Sequence, residues 1–463
     1  MNGLLNWLDA RFPLTKVWNE HLAEYYAPKN FNFFYFFGSL AMLVLVLQIV
    51  TGIFLTMHYK PDAELAFASV EYIMRDVPGG WFIRYMHSTG ASMFFIVVYL
   101  HMFRGLIYGS FKGPRELVWL IGMLIYLALM AEAFMGYMLP WGQMSFWGAQ
   151  VIINLFNTIP FIGEVVSTTI RGDFVISDPT LNRFFAFHVI AVPLILVGLV
   201  FVHIVALHAV GSNNPDGVEI KKLKDENGIP LDGVPFHPYY TVKDIVGVVV
   251  FLMVFFFIIF FIPEGGGYFL EYPNFEPANP LKTPEHIAPV WYFTPFYTVL
   301  RAIPDPWYGT LAMFAAIAVL FVLPWIDKNP IKSVRYRNKA HLINLVWFSV
   351  VFIILGVLGV LAVTDIYREL GTRCTQLYFL FFAVTYVHSR PHKAKYLLWF
   401  VLLLVPVLLW DYMRLDPSYT EVQRDYFWKM MLLPVAYLAT TLLLPMFVSK
   451  ANEEKEVPTR VTG

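Results

Sequence analysis

A single cysteine, Cys374, in 463 residues rules out a disulfide framework, a CxxCH attachment site and a cysteine-held iron–sulphur cluster. Any redox centre here has to be held by something other than sulphur. Charge is scarce too: 14% of residues are charged, Lys and Arg balance Asp and Glu at 33 each, and neither sign forms a long run, so no nucleic-acid partner is expected. What abounds is apolar, with 58% hydrophobic and 18% aromatic residues, a composition that excludes a soluble chain. Residues 1–33 lack the continuous apolar core of a signal peptide and mix Leu4, Leu5, Trp7, Leu8 and Phe12 with Asp9, Arg11, Lys16 and Glu20. They read as an amphipathic helix lying on a membrane surface.

A membrane-crossing helix needs about 20 mostly apolar residues. Ten candidate segments occur, near 34–57, 86–108, 117–138, 184–208, 243–262, 310–326, 342–364, 373–388, 395–413 and 427–448. The expected fold is therefore all-α, a polytopic transmembrane helical bundle. Basic residues gather in alternate connections: Lys112 and Arg115; Lys221, Lys222 and Lys224; Lys328, Lys332, Arg335, Arg337 and Lys339; and Arg390, Lys393 and Lys395. These mark the cytoplasmic side and place both termini there. The opposite connections carry acids, among them Glu64, Glu71, Glu264, Glu271, Glu276 and Glu285. Two of them, about 139–183 and 263–309, are far longer than turns and rich in Pro, Gly, Trp and Tyr, as loops that build a site are.

Ionisable residues inside a membrane helix are costly and usually functional. His87 and His101 are fourteen apart in one apolar span, which at about 100° and 1.5 Å per residue puts them on nearly one face, roughly 21 Å apart in depth. His188 and His203 repeat the pattern in the fourth span at fifteen residues. Two such helices can clamp two haems, each taking one imidazole from each helix. Gly38 and Gly52, and Gly122 and Gly136, are again fourteen apart, and a residue without a side chain lets a bulky ring approach. Arg84, Arg104 and Arg183 lie within five residues of these histidines as partners for haem propionates, or else as snorkelling charges. A transporter that relays protons through histidines is the rival reading, but inverted repeats and interrupted helices are not evident, apart from Pro193.

The paired histidines, PWGQMSFWGA at 140–149, HMFRGLIYGS at 101–110, HAVGSNNPDG at 208–217, PFHPYYTVKD at 235–244 and PVWYF at 289–293 together resemble cytochrome b of the bacterial ubiquinol–cytochrome c reductase, respiratory complex III. The resemblance runs over about 30–388. It implies eight core spans with a di-haem four-helix bundle in the N-terminal half, and two non-covalent b-type haems: His87 and His188 for an outer, low-potential one, His101 and His203 for an inner, high-potential one. It also implies catalysis by quinol oxidation at the outer face and quinone reduction at the inner face, coupled to proton translocation, with ubiquinone and ubiquinol as substrate. A Rieske iron–sulphur protein and a membrane-anchored c-type cytochrome are the implied partners, in a homodimeric complex in the bacterial inner membrane. Menaquinol remains an alternative quinol; the unbroken run through 183–310 argues against the split, chloroplast-type arrangement.

By this resemblance the outer site is walled by Phe134, Tyr137 and Gly148 on one side and Pro289, Trp291, Tyr292 and Tyr297 on the other. Where the family commonly has a proton-accepting Glu in its Pro-Glu-Trp-Tyr motif, this chain has Val290. Glu285, with His286, is the replacement expected from sequence, against a solvated loop acid as the plain alternative. At the inner site His208, Ser212, Lys243 and Asp244 match family positions, and Phe36 replaces an Asn of many relatives. The domain organisation expected is a surface helix at 1–33, the di-haem bundle at 34–215, core spans completing the quinol site at 216–390, and an extension at 391–463 with one or two extra spans and no family motif. His188 and His203 are one residue further apart than the other pairs, and with Pro193 between them an irregularity is expected in that helix.

Overall fold

The computed structural model describes residues 2–19, 24–390, 395–415, 417–448 and 453–462. Lys393 and Glu20 fall outside them. Among the described residues, eight helices are long and apolar enough to cross a bilayer: α1 (Phe33–Thr56), α2 (Gly80–Tyr108), α3 (Glu116–Met138), α4 (Asp178–Val210), α5 (Phe236–Phe261), α7 (Lys339–Val360), α9 (Tyr396–Arg414) and α10 (Glu421–Phe447). The other two expected segments are helices of a different kind. The sixth, α6 (Pro306–Phe321), has 16 residues. The eighth, α8 (Asp365–His388), is long but carries Glu369 and Arg373 on a buried face.

The apolar residues divide between two environments. Large side chains such as Leu194, Phe201 and Val205 of α4 and Val246, Val250 and Met253 of α5 are exposed in the chain, as lipid-facing residues are. The inward faces form a main core in which Phe95, Met123, Tyr126 and Phe255 are almost fully buried, and a second, smaller one around Met138, Ile153 and Leu181. Helix α1 packs along α2 and α3 along α4, while α5 closes against α1 and α2. These pairings stand the four histidine- and glycine-bearing helices around a common interior.

The N-terminal segment is not one helix. It forms Asn2–Asp9 and Leu14–Trp18, broken at Pro13, whose missing N–H and fixed φ end a helix. Strand β1 (Tyr26–Pro28) then pairs antiparallel with β2 (Gly233–Pro235).

Three of the four basic connections meet at this end of the bundle. Arg115 and Lys332 both bind Glu219, and their charges, working against burial, hold its carboxyl down to about 2. Asp327 lies between Lys112 and Arg337. Asp232 takes Arg460 and Lys29, and Arg460 leads in holding it down to about 2. Asp216 accepts from Asn30, Tyr336 and Thr462. Segments from the beginning, middle and end of the chain thus converge on two buried aspartates.

The extension is attached to the core by charge as well as by packing. Arg373 of α8, fully buried, bonds Asp411 of α9, and Glu369 joins Arg373 and Arg414.

Candidate functional site

Each predicted glycine faces a predicted histidine. A Cβ built on Gly38 would stand 3.4 Å from the His101 ring, one on Gly52 3.1 Å from His87, one on Gly122 3.2 Å from His203 and one on Gly136 2.3 Å from His188. The fourteen-residue registers therefore interlock as α1 with α2 and α3 with α4, and the absent side chains are what let the rings sit where they do.

The expected irregularity of α4 is a π-helical segment, Phe187–Ala191, directly ahead of Pro193. A π-turn takes up one residue more than an α-turn. His188 and His203, fifteen apart, thereby reach the glycines that a regular helix would serve at fourteen.

His87 and His188 face one another with ring centroids 6.0 Å apart and ring planes perpendicular. That leaves between them space for one metal atom with bonds of about 2 Å on each side. Their Nδ1 atoms are engaged outward: His87 with the Thr51 hydroxyl at 2.9 Å, His188 with both the backbone carbonyl (3.0 Å) and the carboxylate (3.0 Å) of Glu132. Each imidazole thus keeps Nε2 for the interior, the arrangement a metal-ligating histidine requires. Among the described residues no cluster of three or more metal-binding side chains occurs, and the histidines come in twos. A haem iron would be held by two imidazoles, one from each helix, so these residues fit the group.

A cavity of about 480 Å³ opens around the outer pair, lined by Gly52, Arg84, His87, Glu132, Gly136 and His188 and continuing to Tyr137, Val290 and Tyr292. Arg104 stands at the inner pair, its guanidinium 5.0 Å from the Tyr35 ring and its Nε without a partner. Arg183 does not join the cavity. It is exposed, bonds the Thr169 carbonyl and packs on Gly172.

The residues expected to wall the outer site come from opposite parts of the chain. Tyr292 stacks on Phe95 at 3.9 Å, and burial pushes its phenol up. Trp291 donates Nε1–H to Ser92 at 2.9 Å. Tyr137 lies over Gly148, where a Cβ would be 3.5 Å from its ring. Phe134 packs edge-on to Phe184. Tyr297 bonds the Ile287 carbonyl at 3.3 Å beneath Arg301, and His286 Nε2 meets the Val360 carbonyl at 2.9 Å. Glu285, by contrast, is exposed, in the position of the solvated loop acid. The acid that folds inward is half-buried Glu271, which sequence reasoning took only as one of several outward-loop charges. Tyr137 donates to it at 3.0 Å, and burial pushes its carboxyl up to about 7.

At the inner end His208 stacks on Tyr25 at 4.4 Å, and the Tyr25 hydroxyl lies 3.0 Å from Ser212 Oγ. Tyr25, absent from the sequence reading, ties these two together; burial raises its phenol. Asp244 accepts from Ser39 at 2.7 Å and Lys243 lies 5.2 Å over the Tyr240 ring. Phe36 fills the space against Gly247.

Comparison with known proteins agrees with this geometry. Residues 22–211 match the family described as cytochrome b/b6/petB, and residues 277–379 match cytochrome b(C-terminal)/b6/petD. Cytochrome b of Allochromatium vinosum is 62% identical over 400 residues, spanning 84% of this chain and 96% of that one. Cytochrome b of Rhodospirillum rubrum is 51% identical over 384 residues, 83% and 92% of the two chains. A solved structure of a hyperthermophilic respiratory complex III matches with a TM-score of 0.77 and 40% identity, covering 83% of this chain and 98% of that chain.

Proposed function

The chain belongs to the cytochrome b family, and on that premise we propose that it is the di-haem subunit of a respiratory quinol–cytochrome c reductase. It oxidises quinol at the outer cavity and reduces quinone at the inner end. The observation that carries this reading is the interlocking of four histidines with four glycines at two depths. When bound at each pair, a b-type haem supplies a one-electron carrier, and two depths roughly 21 Å apart along α2 make a path across the bilayer.

The chain's own residues do the rest. Arg84 and Arg104 supply cations for propionates at the two levels. The apolar walls keep water from the carriers, and the aromatic side chains Tyr292, Phe95 and Tyr137 line a flat slot for a quinol ring. Val290 has no proton-accepting group. Glu271, half-buried beside Tyr137 with its carboxyl pushed up to about 7, is suited to take the proton that quinol loses, and supports a role there better than exposed Glu285. At the inner end His208, Ser212, Tyr25, Lys243 and Asp244 supply hydrogen-bonding and proton-donating groups for a quinone carbonyl.

The convergence of the basic connections supports a cytoplasmic location for that face, with the Rieske protein and the anchored cytochrome c engaged at the other, in a homodimeric complex of the bacterial inner membrane. The division at 34–215, 216–390 and 391–463 fits the four-helix interior, the quinol-site half and the helices beyond the family match. The test is a reduced-minus-oxidised spectrum of the purified protein with a haem count. Two b-type haems per chain are expected; none would overturn the proposal.

A further inference from the structure

The two histidine pairs differ in one charge. Arg84 lines the outer cavity with His87, and Arg104 lies three residues after His101, so each level has its cation. Only the outer level has an acid in contact: Glu132 Oε1 lies 3.0 Å from His188 Nδ1, no acid among the described residues contacts His101 or His203, and Glu132 Oε2 is buried with no hydrogen-bond partner of its own. Glu132 sits in the middle of an apolar span, four residues from Gly136, and lines the outer cavity. A carboxylate in that position is too costly to be incidental. The backbone carbonyl of the same residue already accepts from Nδ1 at 3.0 Å, so the side chain is not needed to fix the ring.

We infer that Glu132 is a positioning residue that tunes the outer centre, its carboxylate loading electron density onto His188 and so favouring the oxidised state there over the inner centre. A carboxylate behind a ligating imidazole makes the ligand more basic, and an anion beside a metal stabilises its more positive state. The two centres are thereby ordered so that an electron moves inward from the outer one. This rests on the proposal that the outer pair holds a haem.

The test is a redox titration of the purified holoprotein, native and Glu132→Gln, following the two haem absorbances separately. Gln keeps the size of the side chain and removes its charge. The expected result is that the outer centre becomes easier to reduce, its reduced-to-oxidised ratio at fixed potential rising about tenfold, equivalent to about 59 mV for one electron. The inner centre should stay put, and Glu132→Asp should restore most of the native value. An unchanged outer potential in a variant holding both haems overturns the inference. So does loss of the outer haem from both Glu132→Gln and Glu132→Ala, which would make the carboxylate structural. Absence of haem from the native protein instead overturns the proposed function, and the haem count tells the two failures apart.

Discussion

Tyr137 and Glu271, 134 residues apart in sequence, are joined by a hydrogen bond of 3.0 Å in which the phenol donates to Oε2. The contact links the end of a membrane helix to a loop beyond α5 and closes one side of the outer cavity. If Glu271 accepts the quinol proton, quinol oxidation by the assembled complex must rise with pH through about 7, where the carboxyl loses its proton. Glu271→Gln should lower the rate about 100- to 10,000-fold and flatten that limb, on the scale a general base contributes. Glu285→Gln should leave rate and pH profile within twofold of native. Steady-state quinol oxidation from pH 5.5 to 9 decides it, and the opposite ranking of the two variants restores Glu285 as acceptor.

The glycines predict a graded series. Gly136→Ala would put a methyl 2.3 Å from His188, closer than real contacts allow, whereas Gly38→Ala would leave 3.4 Å to His101. The first should lose most of the outer haem and the second little of the inner, with Gly52→Ala and Gly122→Ala between them. The haem-to-protein ratio at each band is the measurement, and equal losses at all four positions would refute steric control.

The π segment predicts an asymmetry between losing and gaining a residue. Deleting Val189 or Ile190 should convert Phe187–Ala191 to α-helix and bring His188 to fourteen from His203, the spacing that already works in α2. Both haems should be retained. Inserting one alanine there leaves two surplus residues and should eliminate at least one haem. Equal tolerance of deletion and insertion would show that register is not what positions the ligands.

The extension is held by a buried ion pair. Asp411→Asn takes from fully buried Arg373 one of its two carboxylates and leaves it only Glu369, a change bounded by the about 3–5 kcal/mol that breaking a buried ion pair costs. Thermal unfolding in detergent should show the loss. The double variant Arg373→Met, Asp411→Leu, which removes both charges, should recover much of it. A double variant as unstable as the single one would mean that the charges, not their balance, hold α8 to α9.

Much of the site was legible because its logic is one-dimensional. A fourteen-residue repeat of histidine in one helix and glycine in another specifies two depths, and fifteen next to a proline specifies an irregular helix. Glu132 also carried a usable sign, an acid amid apolar residues four positions before a marked glycine. Glu271 carried none. It is one of several acids in a long loop, and only the folding of that loop onto Tyr137 separates it from exposed Glu285. Tyr25 was hidden similarly, since its partners His208 and Ser212 lie more than 180 residues away. The N-terminal segment was misread as a single helix because amphipathicity fixes a face, whereas Pro13 and the pairing of β1 with β2 fix where the helices stop.

The two aspartates that collect Asn30, Lys29, Tyr336, Arg460 and Thr462 have a consequence in time. Residues 460–462 are synthesised after everything they fasten. While the chain is being made, the loops beside His208 and Ser212 have their early and middle contacts but lack the last one. That face of the bundle is therefore completed only once residues 460–462 have been made, and a ribosome stalled before them would leave a chain whose inner surface lacks its last fastening.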